Sequence, residues 1–244
     1  MTESLMTQDG DLPGEAVLLS RGSRRQLSEE VASYVRELIL SGRVKPGEFI
    51  RLEPIAEALG VSNTPVREGL LALSAEALVD LVPRRGFVVG SFSRQDVEDL
   101  FWAQATIGSE LAGRAVANIT KQDLRRLQEI IELHRKAVDE GDAVNIATLG
   151  HEFHRVINIA AGSPRLAALM GKLAAYLPNR FYATIEGRVE STLQAHPAIV
   201  EALERGNARS ARAQMRDHIL AGADSLIADL NARGIWNDMG EAAS

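Results

Sequence analysis

The sequence predicts a mainly α protein in two parts, an N-terminal winged helix-turn-helix followed by a C-terminal all-α helical bundle. Three observations lead there. Ala, Leu, Arg and Glu abound while aromatic residues are only 5% of the 244, a balance that favours helix over sheet. Residues 25–91 read in order as helix, helix, tight turn, helix and hairpin. Beyond Ser93, capping residues recur at helical intervals with no further strand-like run.

The elements follow from the residues. Residues 1–22 are rich in Gly, Asp, Ser and Thr without periodicity, so a disordered tail is expected over about 1–24. The spacing Leu27, Val31, Tyr34/Val35, Leu38 predicts a first helix, ended by Ser41-Gly42. A second, short helix is expected from about Pro54 to Leu59, with Gly60 as its stop. Thr64-Pro65 then offers an N-cap and a first-turn proline for a third helix carrying Val66, Leu70, Leu71 and Leu73. Leu78–Val82 and Phe87–Val89, joined by Pro83-Arg84-Arg85-Gly86, form a small hairpin, the wing.

In the second part, Ser93…Asp96 and Thr120…Asp123 carry the pattern of helix N-termini with an acid in the first turn. Gly141-Asp142, Gly162-Ser163-Pro164 and Gly206-Asn207 each set a C-capping glycine beside an N-capping residue. They divide residues 93–233 into about six helices, with Pro178 and Pro197 adding kinks or starts. The domains expected are 25–91 and 95–235.

Composition excludes several classes of function. There is no cysteine, hence no disulfide, thiolate zinc site, iron–sulfur cluster or cysteine nucleophile. No apolar run is long enough for a membrane helix. The N-terminal stretch lacks the basic start and apolar core of a secretory signal, so a cytoplasmic protein is expected. The net charge of −6 is uneven: residues 1–20 carry −4, residues 21–92 carry +1 and residues 93–244 carry −3. The winged part is therefore the least acidic, a distribution that permits nucleic-acid binding without demanding it.

A helix-turn-helix lays its second helix in a DNA major groove. Here that helix opens with Ser62-Asn63-Thr64-Pro65-Val66-Arg67. Ser62, Thr64 and the first-turn N–H groups suit a phosphate. Asn63 can pair bidentately with adenine, and Arg67 with guanine or a phosphate. Arg84-Arg85-Gly86 puts two cations on a narrow tip suited to the minor groove or backbone, and Arg51 is a further phosphate contact. The competing reading is a winged helix used for protein contacts, with these arginines merely solvated.

Residues 36–90 resemble the DNA-binding domain of the GntR family of bacterial transcription regulators. The stretches that carry the resemblance are Gly42-Arg43-Val44-Lys45-Pro46-Gly47-Glu48, Leu59 to Leu70 (LGVSNTPVREGL) and Pro83-Arg84-Arg85-Gly86-Phe87-Val88-Val89. The family usually has Arg where Asn63 stands and Ala where Gly69 stands. The first difference implies another operator base preference. The second implies a recognition helix weaker by ~1 kcal/mol than with Ala.

Residues beyond 95 resemble the FadR-type effector domain of that family, called FCD, through Glu152-Phe153-His154, His196-Pro197-Ala198-Ile199 and Met215-Arg216-Asp217-His218. The resemblance implies a homodimer that binds operator DNA and a small effector, a carboxylic acid. It also implies a divalent metal, zinc or nickel, held by His154, His196 and His218, since neutral imidazoles suit those ions. The aspartate that the resemblance implies four residues before His154 is replaced by Gly150. The fourth ligand is then absent, or supplied by His151, by water or by the effector. Thr106 and Ser163 stand where the resemblance implies an effector-binding Arg and an Asn; Arg180 is the alternative anion partner.

Two other readings stay open: a metal-dependent hydrolase, and a metal-responsive regulator without an organic effector. Against an enzyme, His151-Glu152-Phe153-His154 is one residue too short for H-E-x-x-H, whose histidines must lie at i and i+4. No nucleophile elbow, phosphate loop or dinucleotide fingerprint occurs.

Overall fold

The computed structural model describes residues 24–177, 179–187 and 190–232. The expected tail lies outside them except for Arg24, which already belongs to the first helix. The chain forms two compact units, residues 24–38 with 47–90, and residues 39–46 with 91–232.

In the first unit α1 spans Arg24–Leu40, β1 Phe49–Ile50, α2 Leu52–Leu59, α3 Asn63–Ala75, β2 Val79–Val82 and β3 Gly86–Val89. Val31, Val35, Ile55, Val66, Leu70, Leu73, Val79 and Phe87 form its buried apolar set. α2 starts two residues earlier than expected and stops where expected. Gly60 takes the left-handed conformation, φ +63°, and its N–H reaches the last carbonyls of the helix. The N-cap of α3 is Ser62, not Thr64, so Asn63 and Thr64 already lie in its first turn. The sheet has three strands in the order β1-β3-β2, all antiparallel. The two-residue β1 is too short to leave an alternating signature, which is why the sequence shows only the hairpin.

Gly69 corrects an expectation. A Cβ there would lie 2.7 Å from Val31 Cγ1 and 2.8 Å from the Ser28 carbonyl oxygen. α1 crosses α3 so closely that only glycine fits, and this packing overrides the intrinsic preference of a helix for Ala.

The second unit is helical throughout its described residues: α4 Arg94–Ala115, α5 Lys121–Glu140, α6 Ala143–Ala160, α7 Pro164–Ala174, α8 Asn179–Gly187, α9 Glu190–Glu204 and α10 Ala208–Ala232. These are seven helices rather than about six. The caps fall where the sequence puts them. Ser93 with Asp96 and Thr120 with Asp123 are full capping boxes. Asp142 caps α6 just after the left-handed Gly141, and Pro164 opens α7. Of the kink or start expected at Pro197, the start does not occur, since Pro197 sits inside α9, and Pro178 lies outside the described residues. α4 packs along α10, α6 against α5 and α8, and α9 against α5 and α10. The core between them includes Phe101, Leu111, Leu127, Ile130, Phe153, Ile157, Phe181, Ile199 and Met215.

Replacing Gly69 with Ala should destabilise the protein by about 1–3 kcal/mol, the usual range for overpacking. Chemical denaturation checks this. A gain of stability would mean that helix preference, not the crossing of α1, governs the position.

Candidate metal centre and DNA-reading face

Three helices of the second unit each aim one imidazole at a common point. His154 comes from α6, His196 from α9 and His218 from α10. His218 Nε2 lies 3.2 Å from His154 Nε2 and 3.3 Å from His196 Nε2. Phe153 stacks on His196 with ring centroids 3.9 Å apart, and His154 stacks on His218 at 5.2 Å. His196 and His218 are buried and His154 is partly so. The three histidines singled out in the sequence thus meet.

The fourth member is a residue the sequence did not reveal. Glu186 of α8 places Oε1 3.8 Å from both His154 Nε2 and His218 Nε2, and Oε2 3.6 Å from His196 Nε2. The four ligand atoms lie within 4.8 Å of one another. The carboxylate is therefore not missing, as Gly150 suggests, but supplied from another helix. Glu186 is the only acid between Glu152 and Glu190, a weak signal whose meaning needs the tertiary fold. His151, the expected substitute, instead meets the Tyr182 ring edge to face at 4.5 Å. Glu152 accepts from Arg126 at 2.7 Å. The side chain of Arg180 lies outside the described residues, although its backbone belongs to the first turn of α8.

The electrostatics suit a cation. Burial pushes His196 well below its ordinary value and His218 down to about 4, with Glu186 opposing both shifts. Burial alone would raise Glu186, but the surrounding imidazoles outweigh it and hold the carboxyl well below the usual carboxylate range. An ionised carboxylate beside His196 and His218, both disfavoured as cations by burial, leaves buried negative charge and converging lone pairs. Four ligands at about 2.0–2.1 Å around tetrahedral zinc stand about 3.3 Å apart. The two nitrogen–nitrogen distances already match that spacing, and His₃Glu is a donor set for zinc or nickel.

In the first unit Arg51, Ser62, Asn63, Thr64, Arg67, Arg84 and Arg85 are exposed and Gly86 is half-buried. Ser62 makes no side-chain cap, so its hydroxyl is not spent on its own helix. At the wing tip the Arg85 N–H donates to the Val82 carbonyl at 3.1 Å. Arg84 there adopts φ +65°, a left-handed conformation that costs a non-glycine residue about 1 kcal/mol or more. The Arg85 guanidinium lies over the Phe49 ring, 4.5 Å from its centroid.

The histidine shifts set the acid response of the metal-free protein. An unfolded histidine titrates near 6.5, so between about pH 6.5 and 4 the unfolded chain binds a proton that His218 refuses, and His196, also pushed down by burial, acts in the same direction. Stability then rises with pH across this window, by up to about 1.4 kcal/mol per unit from His218. Thermal melts of chelator-treated protein should fall from pH 7 to pH 5, and less steeply in His218→Gln. Parallel profiles for the two proteins would refute the assignment.

Comparisons with known proteins identify the family. Residues 27–89 match the family "Bacterial regulatory proteins, gntR family", and residues 99–221 match the FCD domain. The chain is 29% identical over 147 residues to the HTH-type transcriptional regulator McbR of Escherichia coli K12, covering 60% of this chain and 66% of that protein. It is 24% identical over 245 residues to the Uxu operon transcriptional regulator of the same organism, covering 90% and 94%. Among solved structures, E. coli McbR/YncC superposes with a TM-score of 0.67 at 23% identity, covering 84% of this chain and 99% of that one. These families are regulators and not enzymes, which removes the hydrolase reading. No helix among the described residues is long and apolar enough to cross a membrane. The chain belongs to the GntR family and is a DNA-binding transcription regulator with an FCD effector-binding domain.

Proposed function

We propose that this regulator is a cytoplasmic homodimer whose operator affinity is set by a divalent metal and a small carboxylate effector in the helical domain. The observation that carries the reading is the buried cluster His154, Glu186, His196 and His218, with all four ligand atoms within 4.8 Å. Zinc or nickel there supplies a Lewis-acidic centre for an anionic ligand. Glu186 neutralises one of its two charges, so a carboxylate effector meets a net charge of about +1. Effector binding favours one arrangement of the DNA-binding units, a coupling of typically ~1–3 kcal/mol.

At the operator, Asn63 and Arg67 read base edges in the major groove, and Ser62, Thr64 and the free N–H groups of the first turn of α3 hold a phosphate. Arg51 contacts the backbone. Arg84, Arg85 and Gly86 carry the wing to the minor groove. The left-handed Arg84 supports this role, because glycine would fit that turn better and the arginine is retained at a conformational cost.

Metal analysis of protein purified without chelator, followed by operator binding with and without added carboxylates, tests the regulatory reading. Zinc or nickel near one per chain and a carboxylate-dependent shift in operator affinity are expected. A shift with metal alone would instead identify a metal-responsive regulator. Metal-free protein that gains no thermal stability from zinc or nickel would overturn the metal centre.

For the DNA face, Arg67→Ala should weaken operator binding by ~1–3 kcal/mol and relax preference at one base pair. Arg84→Gly should reduce the salt slope by about 1. It should do so without lowering the melting temperature, because glycine relieves the left-handed strain. Salt-dependent binding titrations separate the two effects.

A further inference from the structure

A fifth histidine stands behind the metal cluster. His134 of α5 is 1% exposed, and its ring meets that of His196 edge to face at 5.8 Å. Its Nε2 faces Glu186 Oε2 at 3.9 Å. Both atoms are buried and neither has a hydrogen-bond partner. A desolvated donor facing a desolvated acceptor, about 1 Å beyond bonding reach, is a pair still to be closed. On another side of the same carboxylate, Gly150 of α6 leaves a vacant position. A Cβ there would lie 3.1 Å from both Cγ and Cδ of Glu186 and 3.5 Å from Oε1. Gly150 is helical and has no positive φ. The reason for glycine is thus the space its missing side chain gives to Glu186.

The two carboxylate oxygens face different groups. Oε1 faces His154 and His218, while Oε2 faces His196 and His134. We propose that Gly150 and His134 form a seat that positions Glu186 as the carboxylate ligand of the metal centre. Gly150 provides the volume. The His134 Nε2–H donates to Oε2 and so turns Oε1 toward the convergence of His154 and His218. His134 is a positioning residue and does not ligate. The inference rests on the metal reading above and adds to it the device that fixes the fourth ligand. Glu186 needs such a device because it is a long, flexible side chain and the only ligand from the nine-residue α8. Groups that hold ligating side chains through hydrogen bonds commonly change metal affinity by about 10–100-fold when removed.

The test uses the full chain, zinc affinity measured by competition with a chromogenic chelator, and the visible spectrum of the cobalt-substituted protein. Glu186→Gln serves as the ligand knock-out. His134→Phe keeps ring volume and removes the donor; it should weaken zinc about 10–100-fold and shift the cobalt bands. Gly150→Ala should act in the same direction, because its Cβ pushes the carboxylate aside. His134→Gln, whose amide nitrogen reaches the place of Nε2, should recover most of the affinity, whereas His134→Asn, which is shorter, should not. The Gln/Asn contrast reports the donor position even if the Phe variant folds poorly. Wild-type affinity and spectrum in both His134→Phe and Gly150→Ala, beside a loss in Glu186→Gln, would overturn the seat and leave the metal centre standing. Unchanged zinc affinity in Glu186→Gln would overturn the seat by removing the carboxylate from the ligands. A wild-type chain with no zinc affinity would overturn both readings.

Discussion

An ionised carboxylate buried among imidazoles is the constraint on which the helical unit depends. Removing Glu186 from water carries a penalty of several kcal/mol that only close partners of opposite charge or donor character can offset. Those partners come from α5, α6, α9 and α10, so the carboxylate of α8 ties five helices to one point. Apolar contacts are non-directional and accept many substitutions of similar volume. A polar cluster with its atoms 3.2–3.9 Å apart does not. The same feature that makes the bundle specific makes it a site, because buried negative charge and converging lone pairs suit a divalent cation.

Much of the architecture was legible in the sequence because its signals are local. Ser93, Thr120, Asp142 and Pro164 mark helix starts through side chains that satisfy the first N–H groups or that lack one. Gly60 and Gly141 mark stops because the left-handed conformation favours glycine. The capping shift from Thr64 to Ser62 is the usual uncertainty of one or two residues at a helix end. Of the metal cluster, the three histidines were legible through resemblance. Glu186 was not: it lies 36 positions after Gly150, and nothing local says that one fills the space the other leaves. The same holds for Gly69, a blemish by helix preference and a necessity once α1 is seen to cross 2.8 Å from where its Cβ would lie. Both are pairwise tertiary facts, and composition and periodicity carry no pairwise information.

The wing shows the opposite relation between stability and function. Arg84 occupies a backbone region that favours glycine, while Arg85 is partly restrained by the face of Phe49. Stability alone would favour glycine at position 84, whereas the contact of Arg85 with Phe49 is itself stabilising. Two adjacent arginines thus meet opposite local conditions, one strained in its backbone and one held by an aromatic face.

Within the helical unit, packing decides how far a change at the metal cluster travels. His218 lies on α10, and one turn later Gly222 meets both Phe101 of α4 and Ile185 of α8, where an added Cβ would sit 3.0 and 3.1 Å away. Next to His218, Ile219 Cδ1 would be 2.7 Å from a Cβ on Gly108 of α4. α4 and α10 therefore approach closely at both points, with the Ile219 methyl filling the space at Gly108 and Ile185 of α8 packed beside Gly222. Close packing of this kind has low compressibility and transmits strain. Close-packed helix pairs respond in steps, and a two-state switch needs such a response. At the start of α4 the Ser93–Asp96 capping box satisfies N–H groups that the helix itself leaves open.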